Sequence, residues 1–352
     1  QEAFEGLEMG YNLFALAKLL RAFWRELPDA IYERHAFFQV ASALLCRVFH
    51  IPLILEVNEV AGPSRVREQR FVGLARWAEE LAFSWADHII VVSPFLKEQV
   101  VERGASPERV HVLPNAVDRE RFIEAPSRRD AIRAQLGVEG EPVIGFIGWF
   151  VPWHRLDRLI EIFARLDAPR ARLLLVGDGP LKGDLIQRAQ RLGVGERLIL
   201  PGAVGHDDIP GYIDAMDIAV VPHSNRYRSP LKLFEYMSRG KAVVAPSTQP
   251  IQDVLQERLG RLFEPDEDSS LQRAIQGFLN HEEARQEQGA AARRAVEERY
   301  TWDRHGEVVQ ELIERSQEAP GRGSPLTWIV SDLIQKAYWY TGQRRLSALP
   351  RM

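Results

Sequence analysis

Three clusters of residues in this sequence have the types and spacing that do chemistry. The first is Ser229-Pro230-Leu231-Lys232-Leu233-Phe234-Glu235. Pro230 suits the start of a helix and Ser229 its cap. The free N–H groups of such a first turn form an anion site. Lys232 lies in that turn, where a cation opposes the helix dipole, so its charge points to a ligand phosphate. Glu235, about one turn later, can accept two hydroxyl hydrogen bonds, as a ribose offers. The plainer alternative is a solvated Lys232 with Glu235 in a salt bridge.

The second cluster, Val176-Gly177-Asp178-Gly179-Pro180, closes an apolar run and opens a helical pattern. Glycines there let backbone approach a ligand, and the helix start can receive an anion. The alternative is a tight turn with Asp178 capping the helix. The third, Gly148-Trp149-Phe150-Val151-Pro152-Trp153-His154-Arg155, also follows an apolar run. His154 and Arg155 could neutralise a diphosphate. Alternatively, the two tryptophans pack between domains and His154 caps the next helix.

Other chemistries lack their residues. There is no Walker loop, no Gly-x-Gly-x-x-Gly after a strand, and no Cys/His pattern for a metal. Asp266-Glu267-Asp268 has an Asp-x-Asp spacing, but it precedes a helical stretch at 269–279, where capping is the expected role. No pair of carboxylates stands at a strand end as a glycosidase requires. Net charge is −4, against a general nucleic-acid binder. No apolar run approaches the ~20 residues of a membrane span. The single cysteine, Cys46, sits among apolar neighbours and reads as a buried free thiol.

The elements that must position these clusters alternate. Apolar runs at 52–57, 88–93, 110–113, 143–148, 172–177, 197–202, 218–222, 242–246 and 259–263 read as buried strands, with a shorter strand at 30–32. Helical patterns fall between them. At the N-terminus they cover 11–27, 36–49, 66–86, 94–103 and 128–136. Further on they cover 155–166, 180–192, 207–215, 230–239, 250–257 and 269–279, with 300–314 and 325–346 in the tail. This rhythm predicts an α/β protein of doubly wound parallel sheets, with ligands at the carboxyl ends of the strands. A polar stretch at 115–127 reads as a linker, after which the rhythm restarts. The expected domains are therefore 1–125, 126–299 and a helical tail, 300–352, packing back on the first. The tail's aromatic and basic residues also suit peripheral contact with a membrane.

Five segments then coincide in order and spacing: ADHIIVVSPFLKEQV…VHVLPNAVDRERF, VIGFIGWFVPWH, LLLVGDGPL, IPGYIDAMDIAVVP and SPLKLFEYMSRGKAVVAP. Together they resemble family 4 glycosyltransferases over roughly residues 28–310. The resemblance implies the GT-B fold of two Rossmann-like domains and a nucleotide-diphosphate sugar donor held by the C-terminal one. It implies transfer with retention of configuration, without metal or other cofactor, to a saccharide or lipid-linked acceptor in the cytoplasm. Glu235 matches the glutamate on the donor ribose, Ser229, Pro230 and Leu231 the phosphate turn, and Gly177, Asp178 and Gly179 the turn near the nucleoside.

The departures are specific. Trp149 and His154 replace the family's Arg/Lys pair on the diphosphate, and Arg155 replaces a glycine. Tyr227 replaces the first glutamate of the Glu-x7-Glu pattern. Asn58 replaces the N-domain histidine near the sugar. Lys232 is expected to take over the phosphate contact, so the catalytic candidates are Asn58, His154 and Lys232, with Gly148 and Arg155 beside the donor. The family's opening strand and glycine loop are not found in the sequence, so the N-terminal domain is expected to be incomplete. A sugar-nucleotide epimerase and a non-catalytic nucleotide-binding scaffold are the alternatives.

Overall fold

A computed structural model describes residues 2–62, 70–256 and 258–318. The described residues form two compact units, one of residues up to 112 with 308–318, the other of residues 113–307.

The first unit contains α1 (Glu2–Phe23), β1 (Ile31–Arg34), α2 (Ala41–Phe49), β2 (Leu53–Val57), α3 (Val72–Trp85), β3 (His88–Val91), α4 (Pro94–Glu102) and β4 (Val110–Val112). The four strands are parallel, in the order β1-β2-β3-β4. Strands buried on both faces read as unbroken apolar runs, as Leu53-Ile54-Leu55 and Ile89-Ile90-Val91 do. The edge strand β1 instead alternates partly buried and exposed residues. Cys46, on α2, is buried. Helix α1 starts well before residue 11 and leaves Leu7, Leu13, Phe14 and the following Trp24 exposed.

The second unit contains α5 (Arg129–Leu136), β5 (Val143–Ile147), α6 (Leu156–Ala164), β6 (Arg172–Val176), α7 (Lys182–Arg191), β7 (Leu198–Gly202), α8 (Ile209–Ala215) and β8 (Ile218–Val220). Then come α9 (Leu231–Ser238), β9 (Ala242–Pro246), α10 (Gln249–Val254), β10 (Arg261–Phe263), α11 (Asp268–Asn280) and α12 (Glu282–Arg299). A last helix, α13 (Trp302–Glu318), runs past the division at 307. Within the first unit, Gln317 on this helix donates to the Asp29 carbonyl (3.5 Å).

The six strands are parallel, in the order β10-β9-β8-β5-β6-β7. Successive side chains of a strand face opposite ways. Val143, Leu174, Ala219 and Val243 therefore join one core cluster, while Ile144, Leu173, Ile218 and Val244 join another. Chain order reverses between β5 and β8, which opens a crevice at their carboxyl ends, where such sheets bind ligands.

Two sequence expectations need correction. Residues 115–127 are more than a polar linker: Val117, Phe122 and Ile123 are buried in the second unit's core, and Val117 pairs with Thr301 in a parallel bridge. Helix α12 was not anticipated. It is highly charged and buries only Gly289, Ala292, Ala295 and Val296. A side chain at Gly289 would bring its Cβ to 2.2 Å from the Gly240 carbonyl oxygen, so the small residue is what lets α12 lie close. The helix expected at 325–346 lies outside the described residues.

Candidate functional site

Helix α9 begins at the carboxyl end of the crevice and is fastened at both ends. Near its start the Asn115 backbone N–H donates to the Ser229 hydroxyl (3.1 Å), and the Asn115 amide donates to the Ser229 carbonyl (2.6 Å). Mid-helix, the Ile147 N–H at the end of β5 donates to the Tyr236 hydroxyl (2.8 Å). Just past its end, the buried Arg239 guanidinium donates to both carboxylate oxygens of Asp214 (2.8 and 2.7 Å).

Ser229 is not the helix cap. Pro230 occupies the cap position in extended conformation, and no side chain caps the turn. The proline ring fixes φ but leaves ψ free, so Pro230 can precede the helix as readily as enter it. Lys232 is then the second helical residue. The first turn keeps unsatisfied N–H groups, a positive pole open to an anion.

Lys232 is the most informative residue here. Its Nζ is sealed from solvent and has no hydrogen-bond partner among the described residues. It rests 4.0 Å above the centre of the Phe146 ring. It also lies so close to Gly148 that a Cβ there would come within 2.9 Å of it. Burial pushes the amine down to about 7; Glu235 opposes the shift and Arg228 adds to it. Burial raises the Glu235 carboxyl, against the pull of Lys232. A sealed amine without an acceptor costs free energy, so its surroundings suit a negatively charged ligand.

The loop after β5 supplies the opposite wall. Phe150 and Val151 are buried, while Trp149 and Trp153 are 58% and 38% exposed. His154 ends a short 3-10 turn and packs edge-on to Phe146 at 5.2 Å between ring centres. Burial pushes its imidazole down to about 3, with repulsion from Lys232, Arg228 and His223. Near pH 7 it is therefore neutral. Arg155, where the family has glycine, takes the left-handed conformation (φ 51°) that glycine adopts without strain. Its guanidinium lies 3.6 Å from Asp157.

His223 and Arg228 escaped the sequence analysis. Both lie in the irregular stretch between β8 and α9. Burial lowers the His223 pKa, and it hydrogen-bonds the Trp153 backbone. The Arg228 guanidinium lies over the neighbouring Tyr227 ring (5.7 Å). A density of His and Arg directly after a buried strand was the available signal.

The glycine turn behaves differently. A Cβ at Gly177 would sit 2.0 Å from the Gly148 carbonyl oxygen, and one at Gly179 would sit 2.6 Å from the Phe150 backbone. The close approach these glycines permit is to the neighbouring loop. The Phe150 N–H donates to the Asp178 carbonyl (2.7 Å). The Asp178 carboxylate accepts from the Gly179 N–H (2.8 Å) and Lys182 Nζ (3.2 Å).

Asn58 belongs to the first unit, following β2. Its amide donates to Glu56 (2.5 Å), which also accepts from the Tyr32 hydroxyl (2.6 Å). Asp268 does not cap α11 through its side chain: it accepts from Arg158 Nε (2.6 Å). No group of three or more His, Cys, Asp or Glu among the described residues could hold a metal ion. No helix among them is long and apolar enough to cross a membrane.

Comparison with known proteins gives concordant matches for the two units. Residues 4–121 match the model of Glycosyltransferase Family 4, and residues 128–295 that of Glycosyl transferases group 1. The chain is 33% identical to 2-deoxystreptamine glucosyltransferase of Streptomyces kanamyceticus over 232 residues, 62% of this chain and 59% of that protein. It is 22% identical to alpha-D-kanosaminyltransferase of the same organism over 253 residues, 69% of this chain and 65% of that protein. The chain thus spans less than two thirds of either relative. Among solved structures, HepE of Anabaena in complex with UDP superposes with a TM-score of 0.71 at 21% identity, covering 84% of this chain and 81% of that one. HepE has also been solved with UDP-glucose (TM-score 0.68, 23% identity, 84% and 81% covered). With both halves matched in order and the two parallel-sheet units of a GT-B fold in place, this chain belongs to the group 1, family 4 glycosyltransferases.

Proposed function

We propose that the protein transfers a sugar, with retention of configuration, from a nucleotide-diphosphate donor to a saccharide or lipid-linked acceptor. The observation that carries this reading is the sealed, partnerless amine of Lys232 beside the uncapped start of α9. A diphosphate there would accept from the free N–H groups of the first turn and from Lys232 Nζ. Arg228 and Arg155 would add positive potential, and His154 would add to it only in acid. Glu235 would accept from the ribose hydroxyls. The complexes of HepE with UDP and UDP-glucose support a donor of this class.

In the chemical step the acceptor oxygen bonds to the anomeric carbon on the face that the diphosphate leaves. The carbon–oxygen bond to phosphate breaks with its electron pair, and the acceptor's proton passes to the departing phosphate oxygen. The positive site stabilises the charge that grows on that phosphate. The cation cluster takes the place a metal would fill, so turnover is expected to persist in chelator. A lipid-linked acceptor would bring the protein to a membrane surface from the cytoplasm.

Binding separates the roles. Lys232→Ala should weaken UDP and GDP far more than uridine and guanosine. Glu235→Ala should cost about 1.5–3 kcal/mol for nucleoside and diphosphate alike. Calorimetry showing that Lys232→Ala affects nucleoside and diphosphate by one factor would remove Lys232 from the phosphate. Binding without turnover on any acceptor would favour a scaffold.

A further inference from the structure

We propose that the site takes up its diphosphate together with a proton, which Lys232 acquires as the anion docks at the start of α9. This rests on the donor-site reading above and adds to it that, without the diphosphate, the amine is mostly neutral above pH 7.

The geometry carries the inference. Lys232 Nζ is shut off from water, lies 4.0 Å over the Phe146 ring and finds no hydrogen-bond acceptor among the described residues. The charged and titratable groups that face it come from three places: Glu235 on its own helix, Arg228 before that helix, and His154 after β5. One carboxyl, itself pushed toward neutrality by burial, thus stands against a permanent guanidinium and a helix's positive pole. An ammonium in that setting has neither solvation nor a sufficient countercharge. A bound diphosphate supplies both, through oxygen acceptors for the N–H bonds and at least two negative charges.

The balance is simple. Solvent or buffer gives one proton to the Nζ lone pair, and no bond of the ligand breaks. Glu235, raised by burial, and the two imidazoles are the other groups able to change protonation. His154 faces Lys232, Arg228 and His223, and His223 faces Arg155, Arg158 and Asp266. With the empty-site amine at about 7, Lys232 dominates uptake on the alkaline side of neutrality, and His154 contributes only in acid.

Linkage sets the sign. A ligand that binds the protonated form loses affinity as the pH rises above the free group's pKa, by about tenfold per unit until the bound-state pKa is reached.

The test is calorimetry of UDP and GDP near pH 8, in two buffers of different ionisation enthalpy. At that pH the terminal phosphate, with a second pKa of about 6, is already ionised and takes up no proton of its own. The expected result is uptake approaching one proton per ligand in the wild type and near none in Lys232→Met. A lysine-labelled NMR titration of the wild type reads the same proton without a substitution: one amine signal should titrate near neutrality and move alkaline when UDP is added. Binding with equal heats in both buffers overturns the inference and leaves the donor site standing, as does uptake that survives in Lys232→Met. No binding of either diphosphate overturns both.

Discussion

Two strand-to-helix corners of the six-stranded sheet invite comparison. Gly177-Asp178-Gly179 leads from β6 toward α7, and Ser229-Pro230-Leu231-Lys232 leads into α9. In sequence the first looks more like a ligand site, because it has two glycines and a carboxylate at a helix start. In the structure it is closed upon itself. Its glycines admit the neighbouring backbone, and its carboxylate is engaged by Gly179 and Lys182. The second corner has no glycine, yet it keeps free N–H groups, an amine without an acceptor and a carboxyl raised by burial. Glycine marks where chains come close. An unmet polar demand marks where a ligand belongs.

The comparison can be broken most readily at Gly177. Gly177→Ala forces a Cβ into a backbone oxygen at a φ of +139°. It should lower stability by about 3 kcal/mol in urea unfolding. A variant that folds like the wild type but loses UDP would make this turn a ligand surface after all.

A smaller effect of opposite sign is expected at Lys232. Its amine falls from an ordinary 10.5 to about 7 on folding, so folding expels a proton between those values. The penalty is complete below pH 7 and fades as the pH rises toward 10.5. Lys232→Met should therefore stabilise the empty protein at neutral pH by about 1–2 kcal/mol, and the gain should shrink in alkali. Thermal melts across that range check both the sign and the trend. The smallest effect is at Asp178, whose partners are partly exposed: Asp178→Asn should leave UDP affinity within about twofold. A loss comparable to that of Lys232→Ala would erase the distinction between the corners.

How far these features were legible depends on their physical origin. The buried strands show in sequence because a parallel strand covered on both faces must be apolar throughout, as Leu173 to Val176 are. Lys232 shows because a cation in a helix's first turn is a local contradiction. Helix α12 is obscured because its buried side is mostly glycine and alanine, with Val296, which gives little hydrophobic contrast. The position of Ser229 is obscured because its hydroxyl has two eligible donors: the helix's own N–H groups and that of Asn115, far away in sequence. Phe146 as the floor beneath Lys232, and His223 and Arg228 beside it, depend on how β5 and β8 adjoin. That is a property of strand order, which no local pattern encodes.

Cys46 gives the contrast between the two units a practical handle. It is the chain's one cysteine, it lies on α2 of the four-stranded unit, and it is buried. A thiol in that position reacts with an alkylating reagent only when its surroundings open. The rate of its modification therefore clocks the opening of the four-stranded unit alone, while the six-stranded unit, which carries no thiol, stays silent. Added UDP should leave that clock unchanged wherever its stabilising action is confined to the unit that binds it.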